Sequence, residues 1–478
     1  MASAADTVRM GRVLSGLRGD IEVQGRPART WSLAERMAHY RTPGVSIAVL
    51  DGGRIVWARG FGLKTAGTAD SVTAETLFQA ASISKPVAAT ATLRLVAQGT
   101  LALDTNVNRY LKSWQVPDNR FTGTEKVTLR RILSHSAGLT VHGFPGYAEN
   151  APLPSVVQIL NGEKPANTAA VRVDTTPGAI WRYAGGGTTV QQLLLTDVTG
   201  EPFPSLLERL VLDPAGMTHS TYEQPLPQSR WPQAAWAHDT GGKAIQGRWH
   251  TYPEMAAAGL WTTPTDLSRW ALAIAAARAG TDTTLLPPAM AKEMLTEQKG
   301  GFGLGPTVRG SGREFRFGHG GSNEGFRSTL VYYPEAGVGA AIMGNSDASG
   351  RLIQEIENAI AAEYTWPDHS PRVITAIAAD SATLVAVTGV YQLEAGRQKF
   401  PLTLKLENGV LMVQVPFDIP EEVIPVEPGA FVGLDSGLRF EVRGDSVVVM
   451  QGGRKVAAGK RSKMVETERS KTVEDSRR

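Results

Sequence analysis

The stretch Phe78-Gln79-Ala80-Ala81-Ser82-Ile83-Ser84-Lys85-Pro86 decides how this chain is read. Behind it, apolar Val87, Ala88, Ala91 and Leu95 recur at helical spacing and Gly99 is a stop, which predicts a helix over Pro86–Gln98. Ser82 then stands at a helix N-terminus, where free backbone N–H groups and the positive end of the dipole favour a developing anion. Lys85 follows three residues later on the same face. A serine hydroxyl is a weak nucleophile until a base takes its proton, and a desolvated lysine can be that base. Taken alone, Ser-x-x-Lys is a weak signal that more often describes an N-capping serine followed by a solvated lysine, so other sites must decide.

Two other segments carry compatible chemistry. Trp181-Arg182-Tyr183-Ala184-Gly185-Gly186-Gly187 places a phenol in a glycine-dense turn ahead of a helical run over 189–198. Phe317-Gly318-His319-Gly320-Gly321-Ser322 follows strand-like residues 314–317, and its glycines let a ligand approach the backbone. Each alone reads as well as a buried tyrosine or an edge bulge. A decoy is Ser134-His135-Ser136-Ala137-Gly138, similar to a nucleophile elbow. The elbow needs a strand before its serine, whereas 127–133 reads as helix. Ser136 and His135 are expected to brace a loop.

In this order and at these separations the segments resemble the serine β-lactamase and penicillin-binding-protein superfamily, in its class C β-lactamase-related hydrolase branch of esterases, D-aminopeptidases and D,D-carboxypeptidases. That family carries Ser-x-x-Lys, then Tyr-x-Asn, then Lys-Thr-Gly or His-x-Gly. Ser82 and Lys85 match the first motif and His319-Gly320-Gly321 the third. Tyr183 matches the second, but Gly185 replaces its asparagine. Leu133–Leu139, Ala258-Gly259-Leu260 and Thr263–Leu267 resemble further family segments, and the likeness covers about residues 30–365.

The resemblance implies catalytic roles for Ser82, Lys85, Tyr183 and His319. Ser82 attacks an ester or amide carbonyl, Lys85 and Tyr183 share the proton traffic with the base left open between them, and water releases the acyl-serine. His319 contacts a substrate carboxylate or the Tyr183 hydroxyl. The backbone N–H groups of Ser82 and Ser322 form the oxyanion hole, with Gly185, Gly320 and Gly321 beside the substrate. Gly185 removes an amide anchor and is expected to gain space, which favours esters. A histidine at 319 points to the peptidase branch. The preferred expectation is a serine hydrolase of small carboxylic esters or amides, with esterase ahead. The alternatives are a D-aminopeptidase or D,D-carboxypeptidase, an acyltransferase, or a penicillin-binding sensor that acylates without turnover.

The same resemblance implies an α/β (α+β) β-lactamase-like fold, in which an antiparallel sheet flanked by helices carries a helical subdomain. A first domain is expected over 1–365. Trp366–Pro371 reads as a linker. Beyond it the apolar period becomes two, with Leu402, Leu404 and Leu406 turning at Asn408-Gly409 into Leu411, Val413 and Val415. Strands over 431–434, 438–442 and 446–450 complete a small all-β, lipocalin-like barrel over 372–460, expected either to stabilise the chain or to wall the cleft. A charged tail, 461–478, is expected to be disordered.

Composition closes other doors. Of 478 residues, 42% are apolar and 20% charged, and the net charge is +3. That excess lies within Gly459–Arg478, so the body is neutral and offers no electrostatic footprint for nucleic acid. There is no cysteine, and no two of the eight histidines stand at zinc-helix spacing. No cofactor is called for, and the partner is a small-molecule ester, amide or peptide. No apolar run is long enough to span a membrane, and oligomeric state is left open. Met1–Ala5 is small-residue-rich like the end of a cleaved leader, from which a periplasmic or secreted form is expected.

Overall fold

The computed structural model describes residues 3–395, 398–416 and 419–462. The chain divides into two compact units. One holds Trp31–His369 with the N-terminal stretch up to Leu17, and the other holds Arg18–Thr30 with the residues from Ser370 onward. The sequence reading kept Arg18–Thr30 in the first domain. The structure groups it with the second, because Ile21–Val23 adds a parallel strand to Arg372–Ile374. From 463 on, the expected charged tail lies outside the described residues.

The first unit is built on a six-stranded antiparallel sheet. Its strand order is Arg54–Gly62, Gly44–Asp51, Val338–Gly344, Phe326–Tyr333, Arg316–Asn323 and Thr307–Arg309. The first hairpin closes at Gly52-Gly53, both with positive φ, as the tight turn between right-twisted strands requires. All seven residues of Val338–Gly344 are buried, so both faces of the sheet are covered. Helices Ser349–Tyr364 and Pro264–Ala279 pack on these central strands. The latter starts as its sequence predicts: Thr263 Oγ1 accepts from the Asp266 N–H at 3.1 Å and Pro264 follows the cap. Buried Arg36 donates to Glu355 at 2.7 Å and to the Tyr40 hydroxyl at 2.6 Å, tying helix Leu33–His39 to Ser349–Tyr364.

Between sheet and helical subdomain runs the helix Ser84–Ala97. Every residue from Ser84 to Leu93 is buried, so it is a central element rather than an amphipathic one. Its threonines are satisfied internally: Trp270 Nε1 donates to Thr90 Oγ1 at 3.1 Å and Gln191 Nε2 to Thr92 Oγ1 at 2.9 Å. Helix Gly185–Thr199 packs against it and ends at Gly200 in the left-handed conformation.

The second unit contains a closed eight-stranded antiparallel barrel running in chain order from Gly389–Ala395 to Arg454–Arg461. Tyr391, Leu393, Leu402, Leu404, Phe431 and Phe440 fill its interior. Glu421, buried, accepts from the N–H groups of Asp435 and Ser436 at 2.9 and 2.7 Å. No helix among the described residues is long and apolar enough to cross a membrane.

Candidate active site

Ser82 lies in a 3-10 turn, Ala81–Ile83, that runs into helix Ser84–Ala97. The helix thus starts before Pro86, and Ser82 sits in the turn feeding it. Ala81 adopts φ 51°, a left-handed conformation that costs a non-glycine residue about 1 kcal/mol or more. The surroundings hold it there. Ser328 Oγ donates to Ala80 O at 2.9 Å, and the Ala80 N–H donates to Leu260 O at 2.8 Å. Tyr222 OH donates to Ser84 O at 2.7 Å, and the Leu260 N–H donates to Ser84 Oγ at 3.0 Å.

Lys85 is buried, and its Nζ lies 3.0 Å from Ser82 Oγ and 2.7 Å from Ala257 O. The same Nζ is 5.0 Å from the centroid of the Tyr183 ring. The Tyr183 hydroxyl is buried and makes no hydrogen bond within the protein. His319 completes the group, its ring centroid 6.0 Å from that of Tyr183. Burial, and then the charge of Lys85, hold the His319 pKa down to about 4, so its imidazole is neutral at pH 7. Its Nε2 is buried without a partner.

His319, Gly320, Gly321 and Ser322 lie inside the strand Arg316–Asn323, not beyond its end as the sequence suggested. The pattern was masked because glycines are poor strand formers. The hairpin closes at the Asn323–Phe326 pair; the antiparallel alternation counted from there leaves the Ser322 N–H free of the ladder. A Cβ on Gly321 would stand 2.2 Å from Ala80 O, so only glycine lets this strand approach the nucleophile turn so closely.

Gly185 opens no space. A Cβ there would meet Phe144 Cε2 at 2.9 Å and His142 O at 3.1 Å. The loop bearing these residues is fastened by the Gly185 N–H donating to His142 O at 3.2 Å. The expected anchor is absent, but its room is occupied by Phe144.

Ser136 is no nucleophile neighbour. It is buried and bonded to Ser134 Oγ at 3.0 Å, the local brace its sequence suggested. His135 does more. With φ 55°, it lays its ring against that of Tyr183, tilted by 35° at 4.2 Å between centroids, and its Nδ1 accepts from the Ala184 N–H at 3.2 Å. Burial, then Lys85 and His319, push its pKa well below the usual value, so its ring is neutral and Nδ1 is free to accept. Sequence reading missed this positioning of Tyr183, and also missed Phe302, whose ring contacts His135, Tyr183 and His319. The only signal for Phe302 was a glycine-rich turn.

The beta-lactamase family model matches residues 32–363, more than half of the chain. The chain belongs to the beta-lactamase family. Among curated relatives, Esterase EstB of Burkholderia gladioli is 29% identical over 37% of this chain and 46% of its own length. Unguisins hydrolase ungD of Aspergillus violaceofuscus is 27% identical over 50% and 43%. The chain therefore matches less than half the length of these relatives. The beta-lactamase fold is shared with the octameric penicillin-binding protein homologue from Pyrococcus abyssi, at TM-score 0.58 and 21% identity over 90% of this chain and 98% of that one. D-amino acid amidase from Ochrobactrum anthropi SV3 has TM-score 0.58 and 19% identity, over 76% and 98%. Beyond the matched family region, the chain carries a C-terminal barrel of lipocalin-like form.

Proposed function

We propose that this chain is a serine hydrolase that cleaves small carboxylic esters, and amides less readily, through an acyl-enzyme on Ser82. The observation that carries the reading is the 3.0 Å approach of Lys85 Nζ to Ser82 Oγ at a held, strained turn. Lys85 is the group within reach of the serine proton, so it is assigned as base. Ser82 Oγ attacks the carbonyl carbon, and the N–H groups of Ser82 and Ser322 receive the oxyanion. Tyr183, whose hydroxyl is uncommitted, gives its own proton to the leaving alcohol or amine and takes one back from Lys85, which leaves Lys85 neutral again. Water then attacks the acyl-serine and restores the enzyme.

Two observations support the ester reading. The asparagine that would hold an amide side chain is Gly185, and Phe144 occupies its room. His319 is neutral at pH 7, which makes it a poor anchor for the carboxylate of a D,D-carboxypeptidase substrate. The similarity to Esterase EstB supports the same reading. The test compares turnover of p-nitrophenyl butyrate and D-alanine p-nitroanilide, with intact mass of the protein after each. Ester turnover lost by about a thousandfold or more in Ser82→Ala is expected. Comparable anilide turnover would make the chain a D-peptidase. A persistent adduct without turnover would make it an acylating sensor, and activity surviving in Ser82→Ala would overturn the assignment.

A further inference from the structure

The rings around Tyr183 do not end at the catalytic group. Phe302 contacts Tyr183 and His319 on its inner side, at centroid distances of 6.2 and 5.9 Å. On its outer side it stacks with Trp181 at 5.4 Å and 30° between planes. Trp181 is 39% exposed and its neighbour Ile180 44%, unusual for such large apolar groups side by side.

Specific contacts hold Trp181 in place. Lys299 reaches across to donate to the carbonyls of Gly178 and Ala179, the latter at 3.0 Å. This fastens the turn that carries Phe302 to the loop that carries Trp181. A Cβ on Gly300 would stand 2.5 Å from Trp181 Cγ, so the turn is shaped around the indole. The result is a stapled run of aromatic rings leading from Tyr183 through the buried Phe302 to the exposed Trp181.

We infer that Trp181 and Phe302 form the subsite for the leaving group, and that the preferred substrates carry an aromatic or bulky apolar alcohol there. This rests on the acyl-enzyme reading above, in which Tyr183 faces the leaving oxygen. Whatever is attached to that oxygen then lies along the surface continuing outward from Tyr183. The acyl portion meets the Phe144 side at Gly185 instead. A flat indole partly stacked and partly in water suits a planar apolar group, which it covers at small entropic cost.

The experiment is a matrix of esters hydrolysed by wild type, Trp181→Ala and Trp181→Phe. One series fixes the butyryl group and varies the alcohol from methyl through benzyl to 2-naphthyl. The other fixes a methyl alcohol and lengthens the acyl chain. The inference expects wild-type kcat/KM to rise along the alcohol series. It expects Trp181→Ala to cut the 2-naphthyl-to-methyl ratio by about tenfold, and Trp181→Phe to restore much of it. Leu153→Ala, a change at another exposed apolar residue, should leave the ratio alone. A Trp181→Ala loss confined to the acyl series, or equal for all esters, would overturn the inference. Failure of the acyl-enzyme reading itself looks different: wild type would then hydrolyse no ester and carry no adduct on Ser82.

Discussion

The two sides of the proposed catalytic group are built on opposite rules. On the nucleophile side, Ala80, Ser84 and Lys85 are all tied by hydrogen bonds, and Ala81 is kept in a strained conformation by them. On the proton-donor side, the Tyr183 hydroxyl and His319 Nε2 are buried and bonded to nothing within the protein. Buried polar atoms are normally paired, and these two keep their hydrogen-bonding capacity available to a substrate. The difference teaches what each side is for. The attacking atom must be held in one place, whereas the donor must keep its hydrogen-bonding capacity for a substrate. Ring contacts from His135, tilted, and from Phe302, edge-on, position the donor without consuming that capacity.

Lys85→Met attacks the tied side at its centre. It is expected to lower kcat/KM for an ester by about a thousandfold, within the range for removing a general base. Active-site labelling by an organophosphonate should slow in parallel, since the loss falls on Ser82 itself. Tyr183→Phe tests the uncommitted side and is expected to cost about a hundredfold. That loss should be larger for alkyl esters than for p-nitrophenyl esters, whose leaving group needs no proton. An equal loss for both would mean that Tyr183 acts on the nucleophile, and the contrast between the sides would fail. Gly321→Ala probes the spacing between the sides. Its Cβ must push Ala80 O away, so about a tenfold fall in kcat is expected with KM little changed. Unaltered kcat would show that the turn is not held as argued.

Much of this was legible in the chain because the motifs are local. Ser82 and Lys85 are three residues apart, and the Thr263-Pro264 helix start is written in adjacent residues. Period-two patterning marked five of the barrel strands. The other three were hidden: Glu421–Glu427 carries Pro425 and three glutamates, Arg454–Arg461 is rich in cations, and Gly389–Ala395 has a mixed pattern. What could not be read are pairings across long separations. Neither the Ala184 bond to His135 nor the stack of Phe302 on Trp181 leaves any period in sequence. Gly185 shows the limit most clearly. A missing side chain suggests room, and only the structure shows that Phe144 has filled it.

The smallest expected effect concerns the neutral His319. In the unfolded chain a histidine titrates near 6.5, while in the fold burial and Lys85 hold His319 to about 4. Between these values the unfolded state binds more protons than the folded one, so stability rises with pH across the window. It is therefore complete above about pH 6.5 and is lost as pH falls toward 4. His319→Gln removes this contribution and leaves those of His135 and His238, whose pKa values burial also lowers. Denaturant unfolding at pH 7.5 and pH 5 should show a wild-type drop larger than the variant's by on the order of 2 kcal/mol. Equal drops would mean that His319 takes up a proton in the folded state. A cationic His319 could then hold a substrate carboxylate, and the peptidase reading would displace the esterase one.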